Sequence, residues 1–166
     1  MLIVLGGLPG TGKTTIAREI VARSRAVYLR IDAIEQAIVS ARVLAKDVGP
    51  AGYVVAYELA RANLAFGQTV VADCVNPLPV TREAWRAVAA DTYSRVIEVE
   101  IVCSDTAEHQ RRVTRRISDI PGLAPPTWAS VQSHDYMPWT TPRIVIDTAF
   151  VSAADAAQSI LDRTGD

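Results

Sequence analysis

Hydrophobic residues run along this chain in two alternating rhythms. Short, largely apolar blocks stand at 2–5, 26–31, 69–72, 96–102 and 143–146, each of a length that suits a strand. Between them apolar residues recur at helical spacing. The spacing predicts a helix from Thr14 to about Arg25, then one through Ile34, Ile38 and Val43 that breaks before Gly49-Pro50. A longer helix follows from about Ala51 to Phe66, carrying Val55, Leu59, Ala62 and Phe66 and closed by Gly67. Another runs from about Thr81 through Trp85 and Val88 to Asp91, and a basic helix carries Glu108, Arg111, Arg112, Arg115 and Arg116. A short helix is predicted between Thr127 and Tyr136, and Ser152-Ala153-Ala154-Asp155 has the form of a capping box opening the last one.

Strands alternating with helices, several strands being continuous apolar runs, predict an α/β domain over residues 1–166 with a parallel sheet covered on both faces. Such a sheet takes its ligands beyond the carboxyl ends of its strands. The residues there are Gly6-Gly7, Asp32, Asp73, Cys103-Ser104 and Asp147.

The first of these positions carries a motif. Gly7-Leu8-Pro9-Gly10-Thr11-Gly12-Lys13-Thr14 fills G-x-x-x-x-G-K-[ST] between a predicted strand and a predicted helix, the context that the motif requires. Its glycines let amide hydrogens approach an anion, and the new helix points its positive end at the same place. Lys13 is expected to reach the β- and γ-phosphates of a nucleotide, and the Thr14 hydroxyl to complete the coordination of Mg²⁺, with Thr15 following in the cradle.

Composition narrows the partners. The chain has 166 residues, enough to bury roughly 70% of its unfolded surface, and a formal net charge of −1. Its pI near 6.1 argues against a general nucleic-acid binder. No uncharged run approaches the roughly 20 residues of a membrane span, the chain opens on a strand rather than a leader, and its two cysteines, Cys74 and Cys103, read as buried apolar residues. A cytoplasmic protein is expected.

Asp32 and Asp73 follow the second and third strands, so both carboxylates are expected to face the γ-phosphate. Asp32 is assigned as the base that takes the proton of an attacking hydroxyl, with a helix N-cap as the plain alternative; Asp73 is assigned to the metal or the substrate. Arg112 and Arg116, four apart, are expected to form the phosphate-facing row of the basic helix, and the proline-rich stretch after it suits a lid spanning about 112–128. Asn76 is placed at the acceptor or in the turn after Asp73. Trp128, Tyr136, Met137 and Trp139 wall an acceptor pocket or pack the lid. Tyr53, Tyr57 and Arg61 form a stripe that reads as a buried face, and His109 and His134 read as solvated or packed.

With these residues in place, the chain resembles the phosphate-loop kinase family that includes bacteriophage-type polynucleotide 5′-kinase, chloramphenicol phosphotransferase, zeta toxins and gluconate kinase. The resemblance implies a three-layer phosphate-loop NTPase fold with a five-stranded parallel sheet and a lid, ATP as donor, Asp32 as base and Arg116 in the lid. Val71-Ala72-Asp73-Cys74-Val75-Asn76-Pro77 with Trp85 is similar to the polynucleotide kinase pattern. Where that kinase has an arginine three residues after its base, for the acceptor phosphate, this chain has Glu35, which is expected to repel a phosphorylated acceptor. The expected activity is an ATP- and Mg²⁺-dependent transfer of phosphate to a hydroxyl of a small molecule. A polynucleotide or nucleotide kinase, or a nucleotide-binding switch that hydrolyses ATP slowly, are the alternatives.

Overall fold

The structure is a computed structural model that describes residues 1–42 and 48–165. Val43, read above as the last apolar position of the second helix, lies outside the described residues. Among those described, five strands, β1 (Leu2–Gly6), β2 (Val27–Arg30), β3 (Val70–Asp73), β4 (Val96–Val102) and β5 (Ile144–Asp147), form one sheet in the order β2-β3-β1-β4-β5, with every pairing parallel. The helices are α1 (Lys13–Ser24), α2 (Ile31–Ser40), α3 (Ala51–Ala65), α4 (Pro79–Asp91), α5 (Thr106–Arg115), α6 (Trp128–Gln132) and α7 (Ala153–Leu161).

The central strand shows why both faces need covering. Ile3 and Leu5 point into one core with Ile16 and Ile20 of α1 and Ala156, Ala157 and Ile160 of α7. Leu2 and Val4 point into the other, with Ala56, Ala60 and Leu64 of α3 and Trp85, Val88 and Ala89 of α4. All four β1 side chains are fully buried, which a continuous apolar run in a parallel sheet demands. β4 meets the same geometry differently. Ile97, Val99 and Ile101 join the first core, while Glu98 and Glu100 are buried carboxylates paired with Arg86 and Arg143.

Three boundaries depart from the sequence reading. β2 stops at Arg30, so Asp32 lies in the first turn of α2 rather than at the end of a strand. α4 starts at Pro79, a residue suited to the first turn because its missing N–H would have no partner there. α5 ends at Arg115, and Arg116 is already extended (φ −64°, ψ 125°). At the last helix the expected cap is present, with Ser152 Oγ accepting from the Asp155 amide at 3.1 Å. Among the described residues no helix is long and apolar enough to cross a membrane.

Candidate nucleotide and phosphoryl-transfer site

The chain leaves the central strand at the point where the sheet order reverses, since β1 has β3 on one side and β4 on the other. Residues 7–12 turn back there and α1 begins at Lys13. No side chain caps α1, so its first amide hydrogens are left for an anion. Two glycines are required sterically. A Cβ on Gly7 would lie 2.2 Å from the Ile101 carbonyl oxygen, and one on Gly10, whose φ is +85°, would lie 2.5 Å from Val113 Cγ2. The loop is also tethered. Thr148, just past β5, donates its hydroxyl to the carbonyl of Thr11 at 2.8 Å, and His109 Nε2 meets the carbonyl of Pro9 at 2.8 Å. Lys13 Nζ donates to the Leu8 carbonyl at 2.9 Å, folded over the loop, and burial lowers its pKa against the opposing pull of Asp73 and Asp32.

Parallel register sets Arg30, Asp73 and Leu5 level with one another at the carboxyl edge. Asp73 Oδ2 accepts from Thr14 Oγ1 at 2.8 Å and from Tyr28 OH at 2.7 Å. Burial, then Asp73, holds the Tyr28 phenol well above its ordinary range, so it stays a donor. A hydroxyl and a carboxylate side by side at the mouth of a phosphate loop are hard oxygen ligands that suit Mg²⁺, which takes one or two protein oxygens and completes its shell with water and phosphate.

Asp32 and Arg116 face each other across the cleft, with Arg116 Nη2 3.8 Å from Asp32 Oδ2. Arg116 reaches there because the chain has left the helix, and not through a helical row shared with Arg112. Arg112 lines the same cleft, but its guanidinium is engaged by Glu108 Oε1 at 2.7 Å and by Thr148 Oγ1 and the Thr148 carbonyl at 2.8 and 3.0 Å. The cleft holds about 550 Å³ and is lined by Pro9, Gly10, Gly12, Lys13, Thr14, Thr15, Asp32, Asp73, Arg112 and Arg116, all expected from the sequence. Arg18, Arg30, Ser118 and Asp119 line it as well and were not anticipated. Arg30 had a signal, since it stands at a strand's carboxyl end two residues before Asp32.

Other expected site residues lie elsewhere. Glu35 packs between α2 and α3 against Gly52, and burial, then the charge of Asp32, pushes its carboxyl up to about 7. Asn76 does not line the cleft. It is fully buried at φ +51°, accepts from Thr81 Oγ1 at 2.8 Å and therefore makes the turn. Of the aromatic set, Trp139 is buried and donates to Tyr136 OH at 2.8 Å, Tyr136 in turn bonds Glu100, and Trp128 packs edge-on against His109. Of the stripe read as buried, Tyr53 and Tyr57 are partly buried against the second core, with Tyr57 edge-on to Trp85, while Arg61 pairs with Glu58 and Asp91 at the surface.

Known proteins resemble this chain in sequence and in fold. The chain is 30% identical over 119 residues to an uncharacterised protein of Mycobacterium tuberculosis strain H37Rv, a match covering 64% of this chain and 24% of that protein, and matches a Mycobacterium bovis protein equally. It thus spans about a quarter of the length of these curated relatives. Among solved structures it is similar to a candidate kinase from Chloroflexus aurantiacus (TM-score 0.77, 20% identity, 99% of this chain and 95% of that one). It is also similar to Kti12 of Chaetomium thermophilum in complex with ADP-AlF3 (0.73, 21%, 100% and 98%) and to a sugar kinase from Janibacter sp. HTCC2649 (0.70, 16%, 99% and 94%). These likenesses give the fold, that of phosphate-loop kinases. Residues 2–121 match the AAA domain family AAA_33, from the first strand through the loop and both carboxylates into the irregular segment after α5, and the chain belongs to that family.

Proposed function

We propose that this chain is an ATP- and Mg²⁺-dependent kinase that transfers the γ-phosphoryl group to a hydroxyl of a small molecule, with Asp32 as base. The observation that carries the reading is the approach of Asp32 and Arg116 over the phosphate loop. Phosphoryl transfer asks a protein for positioning and charge neutralisation, and this pair supplies an acceptor for the hydroxyl proton beside a cation for the phosphoryl oxygens. The loop amides hold the β- and γ-phosphates, and Lys13 exchanges the Leu8 carbonyl for them. Thr14 and Asp73 would hold Mg²⁺, which when bound neutralises phosphate charge. Asp32 takes the proton as the hydroxyl oxygen bonds to the γ-phosphorus, the bond to the bridging oxygen breaks and ADP leaves. The lid expected over about 112–128 closes over the nucleotide and excludes water. The likeness to a sugar kinase supports a small hydroxylated acceptor. The oligonucleotide alternative draws less support, because Asn76 is buried and Arg61 is held between Glu58 and Asp91.

Thermal unfolding with Mg²⁺-ATP and a panel of alcohols, sugars, aminoglycosides, nucleosides and short oligonucleotides tests the reading. A ligand at 100 times its Kd adds about 2.7 kcal/mol, several degrees in a domain of this size. A shift with ATP that one hydroxylated compound increases is the expected result. No shift with ATP would overturn it.

A further inference from the structure

A second group of charges in the cleft has no part in that chemistry. Arg30, the last residue of β2, is only 7% exposed, and its Nη1 donates to both carboxylate oxygens of Asp119 at 3.0 and 2.8 Å. Arg18 of α1 pairs with the same carboxylate from its Nη2. Two cations anchored on the sheet and on its first helix therefore converge on one anion, and that anion belongs to the irregular stretch between α5 and α6.

A buried guanidinium needs a counter-charge. Asp73, its neighbour in register, supplies only a distant one. Arg30 Nε stands 4.0 Å from Asp73 Oδ2, beyond hydrogen-bond reach, and has no hydrogen-bond partner. The charge comes instead from Asp119, whose side chain is 41% exposed on the cleft wall and open to competition by a solute. Glu35, expected from the sequence to repel a phosphorylated acceptor, is packed on Gly52 and does not line this space.

We infer that Arg18 and Arg30 form an oxyanion subsite for the acceptor, filled in this structure by the chain's own Asp119. The acceptor is then a small hydroxylated molecule that also carries a carboxylate or phosphate group. A guanidinium matches either group with paired N–H donors. Arg30 precedes Asp32 by two residues, so an anion held on it sets the rest of the molecule beside the proposed base. An arriving anion displaces the Asp119 carboxylate from both guanidiniums. The word acceptor rests on the kinase reading; the subsite does not.

Calorimetric titration with D-glycerate, glycerol 3-phosphate and uncharged glycerol tests it, on the wild type and on Arg18→Gln, Arg30→Gln and Asp119→Asn, with and without Mg²⁺-AMPPNP. One or both anions are expected to bind and glycerol is not, and the anion that binds identifies the charged group. Asp119→Asn should bind it about tenfold more tightly, having no internal competitor, and both arginine variants about tenfold more weakly. Arg18 is 58% exposed, so its substitution remains informative if Arg30→Gln does not fold. Anion binding unchanged in Arg18→Gln, no anion binding by Asp119→Asn, or glycerol binding as well as the anions would overturn the inference. Failure of Mg²⁺-AMPPNP to bind while the anion effects persist removes the kinase reading alone. Nucleotide binding without anion effects removes the subsite alone.

Discussion

His109 Nε2 lies 2.8 Å from the carbonyl oxygen of Pro9, and since a carbonyl can only accept, Nε2 carries the hydrogen. In a trans peptide the next N–H points opposite to the C=O, so a Pro9 carbonyl held toward α5 turns the Gly10 amide away from His109 and into the loop. His109→Phe keeps a ring against Trp128 but loses the donor. It should weaken Mg²⁺-ATP binding about tenfold, with partial recovery in His109→Gln. An unchanged Kd in the Phe variant would show that the loop holds its shape unaided.

Asp32→Asn removes the proposed base without altering size. The expected result is a kcat lower by about 10²–10⁴ with nucleotide affinity and unfolding temperature unchanged. Arg116→Ala should lower kcat by about 10³ or more. Stopped-flow or coupled-assay rates beside calorimetric Kd values separate the two effects, and full activity in Asp32→Asn would remove it as base.

Glu35 gives a pH signature. Burial raises its carboxyl from 4.5 to about 7, so between these values the folded chain binds a proton that the unfolded chain has released. Stability from this group is therefore present below about pH 4.5 and is lost as pH rises through 7. After allowance for solvent screening the effect is on the order of 1 kcal/mol. Urea midpoints should show Glu35→Gln gaining on the wild type at pH 8 relative to pH 5. A difference between the two proteins that ignores pH contradicts this.

Arg82 is a buried clamp. Only 3% of it is exposed, it donates to the carbonyls of Asn76, Pro77, Met137 and Pro138, and it lies 4.2 Å above the Trp139 ring. Arg82→Ala should cost about 3 kcal/mol or more because several buried carbonyls lose their donor. Lysine, with one donor group and no planar face, should restore little. Chemical denaturation measures both.

Much of this was legible because its signals are local. The phosphate loop is eight consecutive residues, β4 falls on the 96–102 block, and the Ser152 cap is set by residues three apart. What stayed hidden depends on distance along the chain or on where a helix stops. Arg30 and Asp119 are 89 residues apart and meet only once β2 and the segment after α5 are both in place. Arg116 was read as a fourth-residue neighbour of Arg112, a relation that ended when α5 did. Glu98 and Glu100 alternate with apolar residues as a solvated face would, yet they are buried because Arg86 and Arg143 fold over them.

The central strand pairs with residues 70–73 on one side and 96–100 on the other, and the loop that leaves it is tied down by Thr148. In synthesis the phosphate loop precedes its supports. While the chain is being synthesised, the finished sequence of the loop precedes its finished shape by well over a hundred residues. A half-made chain therefore carries the loop's residues without the hydroxyl that holds the Thr11 carbonyl.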